Sequence, residues 1–199
     1  ILIIVATGFA SFAGIKAAGP DMLKTAEKYF IDNNLMDLRI QSDLGLTAQD
    51  AQEISGVAGV DYVMPQKFVD ALVSVDGKVE SDMDGSQISA RAYGINLDML
   101  REYASGIKNP AFINRPDLLE GRYPTAENEC LVDASALSTP ESFQLGSVIS
   151  LSGDGESLDL SLSQAEFTIV GIIRSPMYLS FERGNTLIGS GKLGCFIYI

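Results

Sequence analysis

Histidine and tryptophan are absent from the 199 residues, and cysteine occurs only twice. Without histidine there is no Ser-His-Asp or Cys-His catalysis, no His-ligated zinc and no side chain that ordinarily titrates near neutral pH. Two cysteines, Cys130 and Cys195, are too few for a disulfide framework or a four-thiolate metal site. They read as two buried reduced thiols, although a single bridge stays open from sequence. Basic residues are also scarce, 14 against 26 acidic ones, for a formal net charge of −12. Such a surface repels phosphate backbones, so no nucleic-acid partner is expected. What is plentiful is apolar: 46% hydrophobic residues against 20% charged, enough for a substantial core.

The apolar residues are unevenly placed. From Ile1 to Ile15 there is no charge, and Thr7 and Ser11 are the only polar side chains. The run is shorter than the roughly 18–20 residues of a full membrane span. It fits a buried helix or strand, part of a signal peptide, or the outer part of a membrane helix. The chain opens without an initiating Met, has no basic stretch before this run, and closes on the apolar Cys195–Ile199, so it reads as a piece of a longer protein. Beyond Lys16, the residues Met22, Leu23, Ala26, Tyr29 and Phe30 form a stripe at helical spacing, with Asp21, Lys24, Glu27, Lys28 and Asp32 on the other side. Pro20 suits the start of this helix and Asn33-Asn34 its end. An all-round apolar segment that runs into an amphipathic one is expected where a helix leaves lipid for water; the alternative is an amphipathic helix packed on a globular domain. Residues 1–35 carry three basic and three acidic side chains, so the whole −12 lies beyond them.

The rest reads as mixed α+β. Met36, Leu38 and Ile40 alternate with Asp37, Arg39 and Gln41, which predicts a half-buried strand. Thr47 and Asp50 have capping-box spacing for a helix that Gly59 ends, and Val60–Val63 predicts a further strand interrupted by Pro65. Val69–Val75 alternates up to an Asp76-Gly77 turn, Gln87–Ile95 returns, and Asn96 is placed to cap a helix over Leu97–Ala104. From Asn109, short strands and turns dominate: Cys130–Val132, Ser147–Leu151, Leu158–Leu162 and Glu166–Ile173. Turn density marks a β-rich insertion over 109–164.

Motifs with chemistry are weak. Gly189-Ser-Gly-Lys-Leu-Gly194 matches G-x-G-x-x-G by letter, but a β-prone run follows where a helix is needed, so it reads as a flexible loop. It is no P-loop either, because Leu193 stands where Ser or Thr must hold magnesium. Asp82, Asp84 and Gly85 hint at a calcium loop from Glu80, but its twelfth position would be Arg91, a cation, so it reads as a solvated acidic loop. The remaining carboxylates lie at turns or alternate along strands, as on ordinary exposed faces. No metal, cofactor or catalytic residue is therefore expected, and the chain is not expected to be an enzyme; one working through Asp and Glu alone is the residual alternative.

The run Tyr29–Ile40, with Gly45-Leu-Thr47 and the helix at Asp50, resembles the start of the extracytoplasmic domain of MacB/FtsX-like ABC transporter permeases. Leu118–Pro124, Asn128–Val132, Leu145–Ile149, Phe167–Ile173 and Ser175-Pro-Met-Tyr178 continue the likeness in order. The resemblance implies a porter-like α/β part (36–108 with 165–199), a β-rich sabre-like insertion (109–164), and a membrane-exiting stalk helix (1–35) before them. It implies a cell-membrane protein with this domain on the extracytoplasmic side, held to the membrane by its N-terminal helix. A cytoplasmic ABC ATPase subunit and a second permease subunit, identical or different, are the implied partners. ATP-driven movement would then act on a peptide, drug, lipoprotein or cell-wall factor, with Met22, Leu23, Ala26, Tyr29 and Phe30 as the stalk's packing face. The alternative is a membrane-anchored ligand- or partner-binding domain outside any transporter.

Overall fold

The computed structural model describes residues 2–42, 44–79, 81, 87–134, 143–153, 162–178 and 184–199. Helix α1 runs unbroken from Leu2 to Asp32, about 46 Å at 1.5 Å per residue. Pro20 lies inside it, not at its start. Proline removes one hydrogen bond, and Ala17, Ala18, Met22, Leu23 and Lys24, all strong helix formers, carry the helix across Gly19-Pro20-Asp21. Among the described residues no helix is long and apolar enough to cross a membrane.

Thr47 caps α2 (Ala48–Ser55): its hydroxyl accepts from the Asp50 amide at 3.2 Å while the Asp50 carboxylate accepts from the Thr47 amide at 2.7 Å. The helix stops at Gly56, three residues before Gly59, and the Gly56 amide donates to its last carbonyls. Asn96 caps α3 (Leu97–Ala104) through the amides of Asp98 and Met99.

The strands are β1 (Phe68–Val75), β2 (Lys78–Val79), β3 (Ser89–Tyr93), β4 (Asp117–Gly121), β5 (Glu129–Asp133), β6 (Val148–Ser152), β7 (Glu166–Arg174) and β8 (Leu193–Tyr198). Asp76 and Gly77, both left-handed, make the tight β1–β2 turn. The sheet is mixed: β3–β8 and β5–β7 are parallel, the other pairs antiparallel. Pairing runs β1–β3–β8–β5–β7, and β6 then joins β7 back to β1, so six strands close a ring. One face lines the first core, with Ala71, Val73, Ala90, Cys130, Val132, Ile149, Phe167 and Cys195. The other face carries Tyr93, Leu131, Ile173, Phe196 and Tyr198, covered by Leu100 of α3 and by Phe112. Strands from both sides of Asn109 share this ring.

Two expected strands are not formed. Residues 36–41 and 60–63 are irregular, with Leu38 83% and Ile40 56% exposed. Alternation states which side chains could share a face; a strand also needs a neighbour to pair with, and among the described residues these segments have none. Residues 158–161 of the expected hairpin and the acidic loop at Asp82–Gly85 lie outside the described residues.

At the start of β5, the Glu129 carboxylate accepts from the amides of Thr125 (2.8 Å) and Ala126 (3.3 Å) and forms a two-pronged pair with Arg122. Arg122 first, then these amides, holds its pKa at about 2 against an ordinary 4.5. A depressed folded-state pKa means full stabilisation above about 4.5, withdrawn as pH falls toward about 2. Thermal melts should therefore show the wild-type chain losing more stability across that interval than Glu129→Gln; parallel curves would overturn this account.

Candidate functional site: the joint between helix α1 and the head

The end of α1 is built by two asparagines. Asn34 is left-handed (φ 50°), and the amides of Asn34 and Leu35 return to the carbonyls of Ile31 (3.1 Å) and Phe30 (2.9 Å). This is a Schellman ending in which asparagine replaces the usual glycine. Asn33 adds a side-chain bond back to the Tyr29 carbonyl.

The same turn is fastened to the segment between α3 and β4. The Asn34 side-chain amide donates to the carbonyls of Pro110 and Phe112, both at 2.9 Å. In return the amides of Asn114 and Arg115 donate to the carbonyls of Asn34 (2.9 Å) and Asn33 (2.8 Å). The Met36 amide donates to the Asn114 side-chain oxygen at 3.0 Å, and Asn114 is itself left-handed (φ 55°). Five hydrogen bonds thus cross between residues 33–36 and 110–115. Each spans a sequence gap of more than 70 residues, so local helical structure supplies none of them.

Beneath this turn the packing is aromatic. Arg115, only 5% exposed, donates to the Asn109 carbonyl at 2.6 Å and lies 5.9 Å from the Tyr103 ring centre. Tyr103 meets Phe112 and Tyr123, whose hydroxyl donates to the Pro116 carbonyl. Burial pushes the Tyr123 phenol up to about 12 and raises Tyr103 and Tyr29 as well. These phenols stay neutral at physiological pH.

The predicted stalk stripe divides at this joint. Ala26, Tyr29 and Phe30 are half-buried, whereas Met22 and Leu23 are 72% and 73% exposed. Phe12 and Ile15 continue the exposed line further up α1. The residues that fasten the joint, Asn33, Asn34, Asn114 and Arg115, were not singled out by motif. Asn33-Asn34 is legible as a helix end and Arg115-Pro116 as a turn, but nothing local says that they meet.

The glycine motif does not have the form that a nucleotide needs. Gly189 and Gly191 are left-handed turn residues, and Gly194 enters β8, so no helix follows the glycine motif. Cys130 and Cys195 are both fully buried and form no disulfide. Among the described residues no group of three His, Cys, Asp or Glu side chains could hold a metal ion.

The sequence profile of the MacB-like periplasmic core domain matches residues 1–192. The chain belongs to that family. A MacB-like core domain is the extracytoplasmic type found in ABC transporter permeases, and the mixed sheet and helices of this chain are of the expected α+β class. Among solved structures it is similar to the periplasmic region of MacB from Actinobacillus actinomycetemcomitans, at 16% identity and a TM-score of 0.38. That likeness covers 80% of this chain and 56% of the other, so the MacB-like chain spans little more than half of that structure. A comparison with curated proteins finds no match.

Proposed function

We propose that this MacB-like domain is the moving head of an ABC permease, displaced through helix α1 and performing no bond chemistry of its own. The observation that carries the reading is the joint. A helix whose last turn is fastened to the head by five interlocking bonds moves that head as one body. A frayed helix end or a glycine-rich linker would absorb the movement instead. The exposed Phe12, Ile15, Met22 and Leu23 face is apolar surface left for a neighbouring helix. The drive comes from a cytoplasmic ABC ATPase subunit, the second head from a second permease subunit, and α1 joins the head to the membrane. The work is done on an extracytoplasmic peptide, drug, lipoprotein or cell-wall factor.

The test uses the full-length protein in membranes. Leu187 is fully exposed on the head, so spin labels on Leu187→Cys report the separation of two heads. ATP should shift that separation by several ångströms when the co-purified ATPase is present. An unchanged separation, or a full-length protein that purifies with no ATPase subunit, would overturn the reading and leave an anchored binding domain.

A further inference from the structure

Residues 36–41 have the sequence of a strand but no strand to pair with. Among the described residues, no backbone N–H or C=O from Asp37 to Gln41 makes a hydrogen bond; the Met36 amide is taken by Asn114. Leu38 and Ile40 stand in solvent at 83% and 56% exposure. No described carboxylate pairs with Arg39, in a chain where acids outnumber bases 26 to 14; it meets only neutral aromatic groups, the Tyr93 hydroxyl at 3.4 Å, Tyr178, and the Phe68 ring at 5.9 Å from its centre. Asp37, two residues away, has no partner among the described residues either. A local pattern that the rest of the chain leaves unanswered marks a place where a partner can answer it.

The pattern is self-complementary. Antiparallel pairing with a second copy, about a two-fold axis at Leu38, sets Leu38 against Leu38 and Met36 against the partner's Ile40. It also sets Asp37 against the partner's Arg39, twice. Sliding one copy by two residues places Arg39 opposite Arg39 or Asp37 opposite Asp37, and like charges facing each other oppose pairing. Sliding by one residue sets Leu38 opposite a charged side chain and mixes the two faces. One register therefore satisfies charge and apolar contact together. We propose that residues 36–41 form a two-fold antiparallel strand contact between two copies of this chain, centred on Leu38.

A single pair of six-residue strands is weak in free solution, so the contact is best trapped covalently. Holding two copies in one membrane assembly would raise its occupancy through effective concentration. Opposed antiparallel residues lie roughly 4.5–5.5 Å apart at Cα, within disulfide range. The native thiols do not compete: both are fully buried, and burial pushes Cys130 up to about 12.

In the 199-residue chain, Leu38→Cys under mild oxidation should form a disulfide-linked dimer at least tenfold faster than Leu44→Cys. Leu44 is equally accessible, fully exposed, but lies outside the pairing. Adding Asp37→Arg to Leu38→Cys should slow cross-linking at least fivefold, and adding Arg39→Asp as well should restore it. These side chains are exposed, and unchanged melting temperatures will show that the fold is intact. Equal rates for Leu38→Cys and Leu44→Cys would overturn the proposal, as would a double charge swap that stays slow. Neither result bears on the ATP-driven movement, which the spin-label separation reads independently.

Discussion

Gly121→Ala should destabilise the chain by about 4 kcal/mol, read as a fall in the urea midpoint with unchanged slope. Gly121 ends β4 with φ at +79°, where a side chain adds about 1 kcal/mol of backbone strain. Its Cβ would also press into the Val170 carbonyl oxygen of β7 and come within 2.9 Å of the Leu145 side chain. The β4–β7 register places Gly171 directly opposite, and a Cβ there would lie 2.7 Å from Leu131 and meet the Arg122 carbonyl oxygen. The strands approach this closely only because both positions lack side chains. Gly77→Ala separates the two causes. Its φ is +75° with nothing within 4 Å of the added carbon, so it should show the backbone strain alone, about 1 kcal/mol. Equal losses at Gly77 and Gly121 would show that close approach of the strands contributes nothing.

Asn34→Ala should separate fuel use from work. The substitution removes both side-chain bonds to Pro110 and Phe112 and leaves a left-handed turn that alanine resists, about 2–3 kcal/mol together. On the proposed reading, ATP turnover in the full-length protein should persist while transport or mechanical output falls at least tenfold. Asn34→Gly, which accepts φ of 50° freely, should keep the helix ending while losing the side-chain clamp. An output loss shared by both variants assigns the effect to the clamp; a loss with alanine alone assigns it to the helix ending. Full output in both would remove the joint from the transmission path.

Much of the sheet was legible because its signals are local. Val69–Val75 and Glu166–Ile173 alternate, and both became strands, the first with alternately buried residues and the second alternating as far as Gly171. Thr47 and Asn96 act through neighbours within three residues, and the Asp76-Gly77 turn is set by its own backbone angles, although the Asp76 carboxylate also accepts from the distant Val148 amide. The closing of the ring by β6 was not legible, because pairing Leu72 with Ser152 depends on a gap of 80 residues. The failed strand at 36–41 has the same root. Period two reports a face, and the availability of a neighbour is decided elsewhere in the chain. The joint was out of reach for a further reason: four of its five bonds use a backbone group on both sides or as acceptor from a side-chain amide, which leaves no motif to read.

Pro20 gives the long helix one soft point. Its missing N–H leaves the Lys16 carbonyl without its usual donor, so resistance to bending is lowest over that single turn. A push along the axis still reaches Asn34 undiminished, whereas a sideways swing of the upper half is spent at the soft turn. If α1 drives the head as proposed, the lever is stiff in compression and compliant in flexure, which would select stroke over tilt as the motion the head receives.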